Sequence, residues 1–177
     1  MPIKNANLFV GSSSIRLWKT IGSDFDGYPI INRGFGGSNL IDLEAFTDRI
    51  IIKYSPAKIF IYSGENDLAE GIAPEEVLHR FEKVFLKIRE KLPQVPIVFI
   101  SLKPSIARVR QLPAQKITNQ LIYNYLEKQT KTQFVNIMGK MSLKGKPNPS
   151  LFITDKLHMN RRGYEIWIKK LKKYLVK

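Results

Sequence analysis

The sequence contains no cysteine. That removes a disulfide framework, a thiol nucleophile and any cysteine-ligated metal from consideration. Histidine is almost as scarce: His79 and His158 are the only two. No apolar run approaches the roughly 18 residues that a membrane-spanning helix needs. The opening stretch "MPIKNANLFVG" lacks the apolar centre of a signal peptide. As it stands the chain reads as leaderless and cytoplasmic, and as periplasmic or secreted only if a leader has been trimmed. Acid is scarce in one half. Residues 91–177 carry 18 Lys/Arg against 3 Asp/Glu, whereas residues 1–90 carry 11 against 12. The overall net charge is +14. Such a basic half permits an anionic surface contact, although a solvated basic face also serves solubility alone. The aromatic–basic interleaving of an RNA-binding motif is absent, as is a helix-turn-helix cue, so no nucleic-acid partner is expected.

What is present is an ordinary globular balance, with 44% apolar and 25% charged residues among 177. This length predicts a single domain, residues 1–177. Five short β-rich runs are nearly continuous in apolar character: "NLFVG" (7–11), "YPIIN" (28–32), "KIFIYS" (58–63), "PIVFISL" (96–102) and "QFVNIM" (133–138). Unbroken runs of this kind suit strands covered on both faces of a parallel sheet. Between them lie helical periods. Leu40, Leu43, Phe46, Ile50 and Tyr54 form one, and Val77, Phe81, Val84, Phe85, Ile88 and Leu92 a second. Ile117, Leu121 and Tyr125 or Leu126 form a third, and Tyr164, Trp167, Leu171 and Tyr174 the last. Each predicts one buried stripe on an amphipathic helix. The strict alternation argues for an α/β fold with a parallel sheet and helices on both faces. "KMSLKGKPNPSLF" (140–152) reads as a surface loop.

In open α/β sheets, ligands bind beyond the carboxyl ends of the strands. "GSSS" (11–14) follows the first predicted strand, "NRGFGGS" (32–38) the second, "GEND" (64–67) the third and "KPS" (103–105) the fourth. "TDKLHMN" (154–160) comes after the fifth, just before the last helix. Each alone reads as a turn or a loop. Together they bring a serine, close-approach glycines, an amide donor and an Asp-x-x-His pair to one edge. A nucleophile, a base, an orienting carboxylate and oxyanion donors are the parts of acyl-transfer chemistry. Arg16, Asp67 and Lys103 also fall near strand ends, where they can brace loops or touch substrate. Phe35 is a candidate for a pocket wall. His79 has no serine or acid motif beside it.

These blocks resemble the GDSL/SGNH hydrolases, in particular the bacterial branch whose first block reads GSSSIRLW. They are also similar to the platelet-activating-factor acetylhydrolase catalytic subunits. The resemblance runs from residue 8 to the last helix. It implies a flavodoxin-like three-layer α/β/α sandwich with a five-stranded parallel sheet. It places the nucleophile at Ser13, with Ser12 where the family has Asp, and Ser14 then starts the next helix. The oxyanion hole falls to Ser13, Gly37 and Asn66, and the triad is completed by Asp155 and His158. Ile15 stands where a Gly-x-Ser-x-Gly elbow needs glycine, which argues against an α/β-hydrolase.

The expected activity is hydrolysis of carboxylic esters with short acyl chains, such as O-acetyl groups on carbohydrate, through an acyl-enzyme on Ser13. The partner is then a small ester or an acylated carbohydrate, and no metal or organic cofactor is implied. The alternative is a non-catalytic binding module of the same fold that holds anionic polymers on its basic half.

Overall fold

The computed structural model describes Ile3 and residues 5–177. Met1, Pro2 and Lys4, part of the opening stretch read above, lie outside the described residues. Five strands, β1 (Asn7–Gly11), β2 (Ile30–Gly34), β3 (Lys58–Tyr62), β4 (Ile97–Ile100) and β5 (Thr132–Val135), form one sheet. Its order is β2-β1-β3-β4-β5 and every pairing is parallel. The burial of each strand follows its place. β1, β3 and β4 are buried at every residue, whereas the edge strands β2 and β5 are only partly covered. This is why the central strands lack any alternation in the sequence.

The connecting helices are α1 (Ser13–Arg16), α2 (Ile21–Asp24), α3 (Leu40–Ile50), α4 (Glu65–Ala69), α5 (Pro74–Lys91), α6 (Leu112–Leu126) and α7 (Arg161–Leu171). On one face α5 packs between α3 and α6, and Phe81 from α5 sits edge-on to Phe99 of β4 at 4.9 Å. On the other face Trp18 lies edge-on to Trp167 of α7 at 5.8 Å, and Phe9 of β1 stacks on Phe60 of β3 at 4.3 Å. Trp18 and Trp167 are both core residues. This is the three-layer α/β/α arrangement with a five-stranded parallel sheet. Order 2-1-3-4-5 puts the reversal of strand order at β1/β3, beyond whose carboxyl ends sheets of this kind bind their ligands.

Local chemistry explains where elements begin. Pro74 opens α5, with Glu75 and Glu76 in its first turn, where acids meet the positive end of the helix dipole. Asn39 caps α3 in a capping box with Asp42. β2 starts two residues later than its apolar run, because Pro29 has no N–H to give a ladder, and Ile30 to Gly34 pair with Asn7 to Gly11 instead.

Three expectations need correction. Residues 140–152 are not an open loop. They hold a two-stranded hairpin, β6 (Ser142–Leu143) with β7 (Lys146–Pro147), and bury Met141 and Leu151. Lys144 and Gly145 both take left-handed φ values of 50° and 77°, the conformation of a tight two-residue hairpin turn. In α6, Ile117 is 49% exposed, and the buried face is Gln115, Thr118, Asn119, Ile122 and Leu126. In α3, Phe46 is 40% exposed while Thr47 is buried. The Thr47 hydroxyl donates to the Leu43 carbonyl at 2.7 Å, so this polar side chain enters the core satisfied.

Candidate active site

Gly11 ends β1 at a close approach. A Cβ there would lie 1.8 Å from the Tyr62 carbonyl oxygen, so only glycine lets the chain turn out of the sheet at this point. Ser12 then becomes the N-cap and Ser13 the first residue of α1. The helix thus starts at Ser13 rather than Ser14, because the Ser12 carbonyl already accepts from the Ile15 and Arg16 N–H groups at 3.1 Å each. An N–H in a first turn has no intrahelical acceptor, and the Ser13 N–H makes no backbone hydrogen bond among the described residues. Ser12 is buried, and its N–H donates to the Tyr62 carbonyl at 3.2 Å. Ser14 is buried too, and its carbonyl accepts from the Tyr164 hydroxyl of α7 at 2.9 Å. Of the three serines, only Ser13 is partly open.

Ser13 Oγ lies 2.8 Å from His158 Nε2, across 145 residues of sequence. His158 Nδ1 lies 2.6 Å from Asp155 Oδ2. A carboxylate only accepts, so Nδ1 of the neutral ring carries the proton and Nε2 accepts from the serine hydroxyl. The other Asp155 oxygen accepts from the Leu157 and His158 N–H groups at 2.9 Å each. Slight burial pushes this carboxyl upward. Hydrogen bonds from the His158 ring and from the two backbone N–H groups outweigh it and hold the pKa at about 2. The segment is pinned from both sides: Ala107 N–H donates to the Lys156 carbonyl at 3.0 Å, and Ile153 N–H to the His158 carbonyl at 2.9 Å. Asn160 caps α7 just beyond.

Gly37 is exposed and left-handed, with φ 78°, a backbone that glycine adopts without strain. Its neighbour Ser38 accepts from Asn66 Nδ2 at 2.8 Å through its carbonyl. The loop after β2 is thereby tied to α4 after β3, on either side of β1. Arg108 Nη2 donates to Asn66 Oδ1 at 2.9 Å, which fixes the amide with its nitrogen turned toward the Ser38 carbonyl. The structure thus links Ser13, His158 and Asp155 in one hydrogen-bonded chain, and links Asn66 to the Gly37 loop. Among the described residues no hydrogen bond joins Gly37 or Asn66 to the Ser13 side chain.

Behind Asn66 lies a buried ionic cluster, of which the sequence reading named Lys103 and, beside it, Asp67. Glu65 is paired with Lys103 Nζ at 3.1 Å and with Arg108 Nη1 at 3.3 Å, and it accepts from the Tyr62 hydroxyl. Burial pushes the Glu65 carboxyl up, but the charges of Lys103 and Arg108 outweigh it and hold the group below its ordinary value. Burial, with the Glu65 charge beside it, raises Tyr62 well above its usual range, so the phenol stays a donor. Asp67 accepts from the Leu40 N–H at 3.1 Å and pairs with Arg80 at 3.0 Å, which ties α3, α4 and α5 together. Lys103 and Asp67 therefore brace loops, while Arg16 stays exposed. His79 is exposed on α5, 3.7 Å from Glu82 and away from this edge. Arg108 sits in an irregular stretch with no periodicity to mark it, so only its neighbours in space reveal it.

Among the described residues no group of three or more His, Asp or Glu side chains is placed to hold a metal ion. No helix among them is long and apolar enough to cross a membrane.

A model of the GDSL-like lipase/acylhydrolase family matches residues 11–166. Among curated proteins none matches by sequence. Solved structures share the fold. A Streptococcus pneumoniae protein, provisionally described as a platelet activating factor, is 23% identical with a TM-score of 0.88, covering 98% of this chain and 85% of its own. A GDSL-like lipase from Bacteroides thetaiotaomicron is 20% identical with a TM-score of 0.76, covering 96% and 87%. An acetylxylan esterase from Geobacillus stearothermophilus, solved as a catalytic mutant, is 14% identical with a TM-score of 0.78, covering 98% and 95%.

Proposed function

The chain belongs to the GDSL-like lipase/acylhydrolase family and is a serine hydrolase acting on esters; on that premise we propose that Ser13 is its nucleophile, that His158 and Asp155 complete the triad, and that the reaction passes through an acyl-enzyme. One observation carries the reading: the unbroken chain from Ser13 Oγ through both ring nitrogens of His158 to Asp155. A non-catalytic binding module has no use for that chain. The single-domain reading of residues 1–177 belongs to the same proposal.

In this mechanism His158 Nε2 takes the Ser13 proton as Oγ attacks the ester carbonyl carbon. The carbonyl oxygen gains negative charge and is held by the N–H groups of Ser13 and Gly37 and by the Asn66 amide. Asp155, ionised far below neutral pH, stabilises the imidazolium that forms. His158 then gives its proton to the leaving alcohol, and the acyl group remains on Ser13. Water enters, loses a proton to His158, and attacks the acyl carbon. The tetrahedral centre collapses to free carboxylic acid and regenerated Ser13.

The acyl group is proposed to be short, with carbohydrate O-acetyl esters as the substrate class. The edge around Ser13 is open, with Arg16, Gly36, Gly37, Thr154 and Asp155 exposed beside the single apolar side chains of Leu17 and Ile153. A long acyl chain needs apolar walls to bury it, and an acetyl group does not. The test is hydrolysis of p-nitrophenyl acetate and octanoate. The expected outcome is faster turnover of the acetate and near-complete loss in Ser13→Ala. Equal rates for wild type and Ser13→Ala would contradict the assignment.

A further inference from the structure

Asp155 and His158 lie on one loop. Its neck is closed by the antiparallel bridge between Phe152 and Met159 and by the Ile153 N–H, which donates to the His158 carbonyl at 2.9 Å. From Ile153 to Lys156 the loop is exposed. It turns back at Lys156, whose φ is 60°. A lysine in the left-handed region is strained, and such a backbone persists only where its surroundings hold it. Just past this turn the Leu157 and His158 N–H groups meet Asp155 Oδ1.

Among the described residues, one hydrogen bond ties the tip of this loop, Thr154 to Leu157, to the rest of the molecule: the Ala107 N–H donates to the Lys156 carbonyl at 3.0 Å. Ala107 lies between β4 and α6 and is itself anchored. Lys103, four residues earlier, is buried and paired with Glu65 at 3.1 Å, and Ile106 packs against the core. The Gln111 N–H donates to the Arg108 carbonyl at 2.9 Å, just before α6 begins. Arg108, next to Ala107, reaches the other way, to Asn66 Oδ1 at 2.9 Å and to the Glu65 carbonyl at 3.3 Å. Two adjacent residues therefore hold the two halves of the site. Ala107 holds the loop of the base, and Arg108 holds the amide of the oxyanion hole. A general base must lie within hydrogen-bond reach of the proton it takes, and its tautomer is set by the bond that its other nitrogen makes.

We propose that the Ala107 N–H is a positioning group for the catalytic base: by holding the strained Lys156 turn it keeps Asp155 on His158 Nδ1 and Nε2 on Ser13. The proposal rests on the assignment of Ser13, His158 and Asp155 above. The N–H can be removed alone by placing L-lactic acid in place of Ala107, which keeps the methyl group and turns the amide into an ester. Ring-labelled histidine then reports the tautomer by nitrogen NMR, and with only His79 and His158 in the sequence the two rings are readily told apart. The wild-type His158 ring should carry its proton on Nδ1. The lactate variant should shift it toward the Nε2–H form that free neutral imidazole side chains prefer. Its kcat on p-nitrophenyl acetate should fall by about 10–100-fold with KM within about twofold of wild type, the mark of a misplaced reacting group. Val109 supplies the comparison, since its N–H donates to the Ile106 carbonyl at 3.2 Å within the same stretch. The α-hydroxy analogue of valine in its place should leave the tautomer as in wild type. Arg108→Ala should lower kcat and likewise leave the tautomer in place. A measurement on the unaltered protein gives a second reading: the Ala107 and His158 amides should exchange with solvent through one shared opening, with equal protection. An unchanged His158 tautomer in the lactate variant, an equal change in the Val109 analogue, or a freely exchanging Ala107 amide would overturn the proposal. Undiminished hydrolysis by Ser13→Ala would instead contradict the esterase reading and leave the tautomer result standing.

Discussion

At the scale of single residues, the account separates three adjacent serines by what each atom touches. Ser12 and Ser14 are buried and bond through their backbones, while Ser13 presents its hydroxyl to His158. Ser12→Ala and Ser14→Ala should therefore keep measurable hydrolysis where Ser13→Ala does not. Asn66→Ala should lower kcat by roughly 10²–10³, the effect of losing one oxyanion donor. Arg108 acts through Asn66. Arg108→Ala should lower kcat by less than Asn66→Ala, and should add little once Asn66 is already Ala, as a double-mutant cycle on ester turnover would read. Ser13, Gly37, Asn66, Asp155 and His158 could be singled out in the sequence because four short blocks follow the strands and resemble the family's blocks, and the structure joins three of them, Ser13, His158 and Asp155, by hydrogen bonds. Arg108 could not, since it reaches Asn66 from 42 residues away out of an irregular stretch.

At the scale of elements, α6 shows why periodicity fails when polar residues face inward. Its apolar spacing pointed to Ile117, yet Gln115, Thr118 and Asn119 are the residues buried against the sheet. Asn119 explains the choice. Its Oδ1 accepts from the Leu102 N–H at 2.7 Å and its Nδ2 donates to the Leu102 carbonyl at 3.1 Å. The side chain thus finishes the backbone bonding of β4 just past its last residue, where the chain turns toward Lys103. Asn119→Leu should cost about 2–4 kcal/mol in urea unfolding, because it leaves both Leu102 groups buried and unpaired. The long helix α5 was legible, from Pro74 to its end before Leu92-Pro93, because its inward residues are all apolar. The hairpin β6–β7 was not, because its turn needs a left-handed Lys144, a residue that carries no signal for that conformation.

At the scale of the whole molecule, charge sets how the fold responds to acid. Glu65 is fully buried between Lys103 and Arg108, and its carboxyl is held below its ordinary value. A carboxyl lowered by folding adds stability above its unfolded pKa, and that stability is lost as the pH falls through the folded value. At pH 7, Glu65→Gln should cost about 3–5 kcal/mol, because the cations lose their counter-charge in a buried site. The gap between wild type and variant should shrink on acidification below about pH 4, as the native carboxyl is protonated. Unfolding by urea across that range measures it. Asp155, held at about 2, stays ionised at mildly acid pH. The central claim, that sheet, loops and helices converge to make Ser13 a nucleophile, is tested most directly by catching the intermediate. The protein is mixed with p-nitrophenyl acetate, quenched in acid during the burst, digested, and its peptides weighed. The account predicts one acetyl group on the peptide containing Ser13, absent when Ser13→Ala is treated the same way. An acetyl group on another residue, or undiminished hydrolysis by Ser13→Ala, would contradict it.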